Sequence, residues 1–380
     1  MYFVHPQIEK GKLKKAFFSL FKKPNLREFE EKLFSFFPGK KIYFLDMART
    51  AFRIIIEKLN LENSQILMPA FICDIFFPIL KKYRIEPVFL DIDLKTFNVK
   101  FKEIENKISK KTKAILICHT FGLLHQDILK ISSLSKTLKI SLIEDCAHSF
   151  GAQYKRNFAG NFGTASIFSL YKQFPILRGG LLICPRDWKV DLKESKFDLR
   201  DFLSFLNLIS PFAFLFKKFG KKIAPKVIKK EKGKEFFAIN NVSLNLLSLF
   251  LEDFEKSLEK RKKLAIFYQK CLKEIGFEVQ EERENIFCYL STLVPKNFEE
   301  KRDKIIESLR KERIFCTRIW KEPIILNKEA IEFWRLNPKE YPNTLEVSKR
   351  IINFPLQNFF EIKDIKKIIS VSKKVLSLLK

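Results

Sequence analysis

Between residues 41 and 145 short apolar runs alternate with segments of helical period, and this alternation constrains the fold more than any other feature of the chain. The apolar runs are Lys41-Ile42-Tyr43-Phe44-Leu45, Gln65-Ile66-Leu67-Met68, Pro87-Val88-Phe89-Leu90-Asp91, Ala114-Ile115-Leu116-Ile117-Cys118 and Ile140-Ser141-Leu142-Ile143. Helix-like pieces fall between them at 50–59, 75–83, 101–108 and 127–138. Strands separated by helical crossovers run parallel, and both faces of the sheet are covered. The pattern predicts an α/β fold with a largely parallel sheet. Chemistry in such sheets gathers at the carboxyl ends of the strands, where Asp91, His119 and Asp145 fall.

Outside this core the pattern changes. Residues up to Pro38-Gly39 read as short helices, with 26–37 the clearest amphipathic run. Between about 185 and 235 the alternation breaks: residues 201–219 are strongly apolar around Pro211, and a dense lysine run covers 217–234. That stretch reads either as a helical hairpin packed on the body with a solvated basic tail, or as an amphipathic element lying on an anionic membrane surface. A long helix is expected over 243–272, then a strand-like piece at 286–294 and helices at 299–312 and 362–379. With 380 residues and 46% hydrophobic content, two domains are expected. These are a large domain over 1–242 carrying the 185–235 insertion, and a small α+β domain over 243–380.

Several classes are excluded. The seven cysteines are scattered and never in CxxC spacing, which speaks against a disulfide framework or a zinc site, so no metal is expected. The first thirty residues are charged throughout, and no run of about twenty apolar residues occurs; a cytoplasmic setting without a membrane span is expected. The formal charge of +28 fits an anionic partner or plain compositional drift. No nucleic-acid-binding motif accompanies it.

The candidate chemistry lies in two segments. Glu144-Asp145-Cys146-Ala147-His148-Ser149-Phe150-Gly151-Ala152 follows the last strand of the series. Phe168-Ser169-Leu170-Tyr171-Lys172-Gln173-Phe174-Pro175 then runs toward Gly179-Gly180. A carboxylate at the end of a buried strand can hold a pyridine nitrogen protonated, and a lysine amine can bond an aldehyde; together they suit pyridoxal 5'-phosphate. Apolar neighbours of Lys172 would favour a neutral, nucleophilic amine. Ala48-Arg49-Thr50-Ala51, ahead of the expected helix, offers backbone N–H groups and the Thr50 hydroxyl to a phosphate, and the Ser169 hydroxyl is a second phosphate candidate. His148 is placed to reach the cofactor or Asp145.

These residues resemble the DegT/StrS-type sugar aminotransferases, fold-type-I pyridoxal-phosphate enzymes with a seven-stranded-type sheet. Ala48-Arg49-Thr50-Ala51 is similar to the family's Gly-Thr-Ser-Ala turn, Met68-Pro69-Ala70-Phe71 to its Val-Pro-Ser-Phe, and Pro87-Val88-Phe89-Leu90-Asp91-Ile92-Asp93 to its Pro-Val-Phe-Val-Asp-Ile-Asp. His119-Thr120-Phe121-Gly122 is similar to its His-Leu-Tyr-Gly, and the Glu144 to Ala152 segment to its Glu-Asp-Ala-Ala-Gln-Ala-His-Gly-Ala. The resemblance implies that Lys172 holds the cofactor and shuttles the substrate proton. It implies cofactor contacts by Asp145, His148, Thr50, Ala51, Ser169 and Cys73, with Cys73 at the position of a ring-stacking aromatic. His119, Asn240 and Asn241 become candidates for contacts to substrate or a partner subunit. Glutamate would donate an amino group to a nucleotide-linked keto sugar in polysaccharide or glycan biosynthesis, and the chain would act as a homodimer.

The chain departs from the family in four places. His148 replaces a glutamine, and Cys73 an aromatic. The usual spacing from Ser169 falls on Phe174, so Lys172 is assigned on a shortened loop. Ile239-Asn240-Asn241 stands where the family has Asn-Tyr-Arg. Two alternatives follow. One is a pyridoxal-phosphate-dependent sugar dehydratase, against which Lys172 argues because such relatives carry histidine there. The other is a non-catalytic regulatory homologue held at the inner membrane surface through 201–234.

Overall fold

The computed structural model describes residues 1–22, 24, 31, 33–219 and 235–379. Half of the helix expected over 26–37, and the lysine run beyond 219, lie outside the described residues.

Seven strands build the main sheet: β1 (Lys41–Leu45), β2 (Gln65–Pro69), β3 (Glu86–Leu90), β4 (Thr112–Cys118), β5 (Ser141–Asp145), β6 (Ala165–Ser169) and β7 (Gly180–Cys184). Their order is β1-β7-β6-β5-β4-β2-β3. Strand β7 is antiparallel to both neighbours and every other pair is parallel. Crossovers are made by α1 (Ala48–Lys58), α2 (Phe77–Lys82), α3 (Phe101–Lys107) and α4 (Ile128–Thr137).

The side-chain period of two divides the strands between two cores. Leu67, Ile115, Ile117, Leu142, Phe168 and Leu181 join the core on one face of the sheet. Ile66, Met68, Leu116, Ile143, Ile167 and Leu182 join the core on the other. A fully buried Leu or Ile is worth about 1.5–3 kcal/mol, so a one-residue slip of any central strand would forfeit several such burials at once. The same alternation sends Glu144 and Asp145, adjacent on β5, to opposite faces.

After β7 come α5 (Leu199–Asn207) and α6 (Ser210–Phe219), bent by 105° at their junction. Asp198 starts α5 with a capping box, accepting from the amides of Arg200 and Asp201. Ala213 and Phe214 of α6 pack against Phe3 and Phe315. Among the described residues no single helix is long and apolar enough to cross a membrane.

The long helix expected over 243–272 is two helices, α7 (Asn241–Leu251) and α8 (Phe254–Glu274). The two halves have different burial demands. Helix α7 buries Val242, Leu244, Leu246, Leu247, Leu249 and Leu251, around most of its circumference. Helix α8 buries one stripe, including Phe254, Arg261, Leu264, Tyr268 and Leu272, and so lies at the surface. Asp253, at the break, pairs with Lys12 at 2.7 Å.

Beyond α8, strands β8 (Glu278–Val279), β9 (Leu290–Leu293) and β10 (Ile351–Phe354) form an antiparallel sheet in that order. The helix Ile362–Leu379 packs on the same core. Tyr2–Phe3 pairs in parallel with Ile314–Phe315, so the first residues are stitched to the C-terminal part of the chain.

Candidate active site

The carboxyl ends of β5 and β6 and the start of α1 open onto a cavity of about 360 Å³, within the range usual for small-molecule sites. Asp145, Ala147, Ser169 and Lys172 line it from the sheet side. Arg49 enters from α1, and Cys73 and Asp74 from the loop after β2. His5, Tyr289, Ile319 and Trp320 come from distant parts of the chain. Gly180 makes the approach of β7 to α1 possible: a Cβ there would lie 2.6 Å from the amide nitrogen of Ala48.

Lys172 reaches the cavity because the chain leaves β6 in a single 3-10 turn, Leu170–Lys172. Phe174, two residues on, is 3% exposed and packs against Phe150 and Phe254. The shortened loop therefore directs the lysine, not Phe174, to the cavity. The Lys172 Nζ lies 3.0 Å from His148 Nε2. Burial opposes its ammonium form, but Tyr171, Asp145, Cys73 and Cys288 favour it, and the balance raises its pKa. The apolar neighbours expected to favour a neutral amine are therefore opposed by groups, Tyr171 and then Asp145, that pull toward the ammonium. Burial pushes both thiols up, so they stay protonated near neutral pH and Asp145 supplies the negative charge.

The Asp145 Oδ1 accepts the amide of Ala147 at 3.0 Å, and its Oδ2 receives the Cys118 thiol at 3.6 Å. Burial is the largest influence on the carboxyl and raises its pKa, while Lys172, the Ala147 amide and Cys118 hold it down. An acid with one weakly satisfied oxygen at a cavity wall is suited to a cationic ring nitrogen. His148 is 2% exposed, and burial, then Lys172, holds its imidazole well below the usual range. It is neutral near pH 7.

Five expected contacts, Thr50, Ala51, His119, Asn240 and Asn241, are not brought to this cavity. Helix α1 starts at Ala48, not Thr50, so Thr50 lies inside its first turn. Its hydroxyl donates to Asp46 Oδ1 at 2.7 Å, and Ala51 is fully buried in the core. The side chain that faces the cavity from this turn is Arg49. Met47, the N-cap, supplies no side-chain cap, and the helix dipole favours an anion there. His119 is 1% exposed and is held by Glu144 Oε2 at 3.0 Å. Asn240 is also buried; it donates to Asp201 at 2.9 Å and accepts the Ser243 amide at 2.8 Å. Asn241 is exposed at the start of α7.

His119, Glu144 and Cys146 bring possible ligand atoms within 4.8 Å of one another. The Glu144 oxygens, however, already accept the amides of Gly160 at 2.8 Å and Gly163 at 2.6 Å as well as His119. A cation would have to displace these donors, and the cluster reads as a hydrogen-bonded core network.

Sequence reasoning missed His5, Tyr289, Ile319 and Trp320. No local pattern marks them, because each reaches the cavity through long-range packing. Arg49 was legible as a charge at a helix start but was passed over for the hydroxyl beside it.

The sheet order, the single antiparallel strand and a cavity holding a lysine and an acid at the strand ends define the fold-type-I pyridoxal-phosphate class. The comparisons agree. The chain belongs to the DegT/DnrJ/EryC1/StrS aminotransferase family, whose model matches residues 12–372.

It is 34% identical to GDP-perosamine synthase of Escherichia coli O157:H7 over 125 residues, 32% of this chain and about a third (34%) of that protein. It is 24% identical to dTDP-4-amino-4,6-dideoxy-D-glucose transaminase of Shigella dysenteriae over 88% of this chain and 85% of that one. Among solved structures, PseC of Helicobacter pylori, an aminotransferase involved in the biosynthesis of pseudoaminic acid, superposes with a TM-score of 0.77 at 19% identity, over 99% of both chains. The GDP-4-keto-6-deoxy-D-mannose-3-dehydratase of E. coli, with hydrated pyridoxal phosphate bound, gives 0.76 at 18% over 98% of this chain and 99% of that one. A transaminase and a dehydratase thus share this fold, and only the site can choose between them.

Proposed function

We propose that the protein is a pyridoxal-phosphate-dependent aminotransferase that moves an amino group from glutamate to the keto group of a nucleotide-linked sugar, releasing 2-oxoglutarate and an amino sugar. The observation that carries this is the convergence of Lys172, Asp145 and Ser169 on one cavity, although the lysine lies two residues short of its usual place. The printed names of the perosamine synthase and the dideoxyglucose transaminase supply the substrate class.

The bound cofactor would supply an electron sink for the carbon that loses its proton. In that arrangement Asp145 would hold a ring nitrogen protonated. Lys172 would be the residue that holds the cofactor covalently, and its Nζ would carry the substrate proton. Ser169, Arg49 and the start of α1 would hold the phosphate. Cys73 and Ala147 line the cavity where the ring would lie, and the small Cys73 leaves room an aromatic would fill.

The same reading places the enzyme in the cytoplasm as a homodimer, with the exposed Asn241 available to a second copy. It includes peripheral contact of 201–234 with an anionic bilayer, supported by the exposure of Phe202, Phe212 and Leu215. Light scattering tests the dimer, and sedimentation with anionic vesicles tests the contact. The activity test is the visible spectrum with added pyridoxal phosphate, before and after glutamate. A band that bleaches, followed by amination of a nucleotide-linked 4-keto sugar, is expected. A deoxy sugar formed without glutamate consumption would favour the dehydratase.

A further inference from the structure

Three aromatic side chains cage the His148 ring. Phe121 stacks on it with centroids 5.5 Å apart and planes 25° apart. Trp320 covers it at 5.1 Å and 37°, and Tyr289 meets it edge-on at 5.2 Å. The Phe121 amide donates to His148 Nδ1 at 3.3 Å. Phe121 is fully buried and held at φ 59°, ψ 14°, a left-handed conformation that costs a bulky side chain about 1–3 kcal/mol. The fold therefore sustains strain at the residue whose amide addresses this ring.

The hydrogen-bond order has a consequence. An N–H donor at Nδ1 requires a lone pair there, so a neutral His148 carries its proton on Nε2. Nε2–H then points at Lys172 Nζ, 3.0 Å away, and can be received only by an amine with a free lone pair. An ammonium at that position would need Nε2 as acceptor. The ring proton would move to Nδ1, and the Phe121 amide would be left buried without an acceptor, a costly state.

We propose that His148 is a positioning residue that, fixed in its Nε2–H form by the Phe121 amide, holds Lys172 toward the free amine against the pull of Asp145. The proton on Lys172 and the tautomer of His148 are thus one coupled variable. The inference rests on the assignment of Lys172 as the cofactor lysine. The charged and titratable groups that face the pair are Asp145 from β5, Cys118 from β4, Cys73 and Asp74 after β2, Arg49 from α1, Tyr171 from the lysine's own turn, Cys288 and Tyr289 before β9, and His5. Burial pulls toward the amine, and Tyr171, then Asp145, Cys73 and Cys288, pull toward the ammonium; among the described residues His148 is the group hydrogen-bonded to Nζ.

The test uses the full chain freed of cofactor. In 15N NMR of the four histidines, with His148 assigned from the His148→Asn variant, a protonated Nε2 and bare Nδ1 are expected at pH 7 to 8. A protonated Nδ1, or an imidazolium, overturns the proposal. The second readout is the pH at which the rate of visible-band formation with pyridoxal phosphate is half-maximal. Asparagine can still accept the Phe121 amide but cannot reach Lys172, so His148→Asn should move that midpoint up by about one pH unit or more. A midpoint that stays or falls means that the ring serves as acceptor for the ammonium, and the proposal fails. A wild-type chain that forms no band at all refutes the assignment of Lys172 instead, and the NMR readout still decides the tautomer.

Discussion

His119 follows β4 and His148 follows β5; the two are prepared in the same way, yet they serve different ends. In each ring Nδ1 accepts a backbone amide, from His125 at 3.0 Å and from Phe121 at 3.3 Å, so each presents Nε2–H outward. The His119 proton meets the Glu144 carboxylate, whose oxygens also take two glycine amides. That network is closed. The His148 proton meets an amine beside an acid whose second oxygen, among the described residues, receives a hydrogen bond from a thiol alone. That network is open, and it borders the cavity. The difference teaches that neighbouring acids in one motif acquire their roles from how completely their acceptors are filled, and not from residue type.

Substitutions in the two networks should therefore separate function from stability. The largest effect is expected for Lys172→Ala, which should abolish the visible band with pyridoxal phosphate while circular dichroism stays native. Asp145→Asn comes next, with transamination reduced about 100-fold or more, judging from lost electrostatic preorganisation at other sites. Its fold should be as stable as wild type or slightly more so. Burial raises the Asp145 pKa, so its ionised form costs stability at neutral pH, and an uncharged amide relieves that cost.

Glu144→Gln should invert the pattern. A glutamine presents a donor where three N–H groups point, and chemical denaturation should show a loss of about 2–3 kcal/mol. The band per folded molecule should remain. Equal effects of the two acid substitutions on cofactor binding would break the comparison.

The last effect concerns pH. Burial, then His119, holds His125 down to about 3, and burial, then Lys172, depresses His148. Unfolded histidines bind protons below about pH 6.5 while these stay neutral in the native state, so the stability they contribute is present above that pH. It is lost as pH falls below about 6.5, by up to about 1.4 kcal/mol per pH unit for each ring, and for His125 down to about 3. Urea titrations from pH 7 to 5 should show this decline, and His125→Asn should flatten part of it.

Much of this was legible in sequence because it is local. The strand runs encode their own register through alternation, and the same period puts Glu144 and Asp145 on opposite faces. The shortened turn between Ser169 and Lys172 was readable as spacing. What was not legible depends on contacts far along the chain. Thr50 looked like a phosphate contact at a helix start until the helix proved to start two residues earlier, at Ala48. His119 looked available because a strand-end histidine gives no sign of the acid on the adjacent strand. Lys172 looked neutral because its flanking segment is largely apolar, while Tyr171 and then Asp145 pull it toward the ammonium. Trp320 and Tyr289 enter only through the packing of the C-terminal part against the sheet.

The most direct test is to locate the cofactor on the chain. The full-length protein is loaded with pyridoxal phosphate, the lysine–cofactor bond is locked with borohydride, and the labelled peptide is identified by mass spectrometry. A single modified peptide carrying the label on Lys172 is the predicted result. A label on any other lysine, or none on a folded and loaded protein, would contradict the account of the open network as the cofactor site.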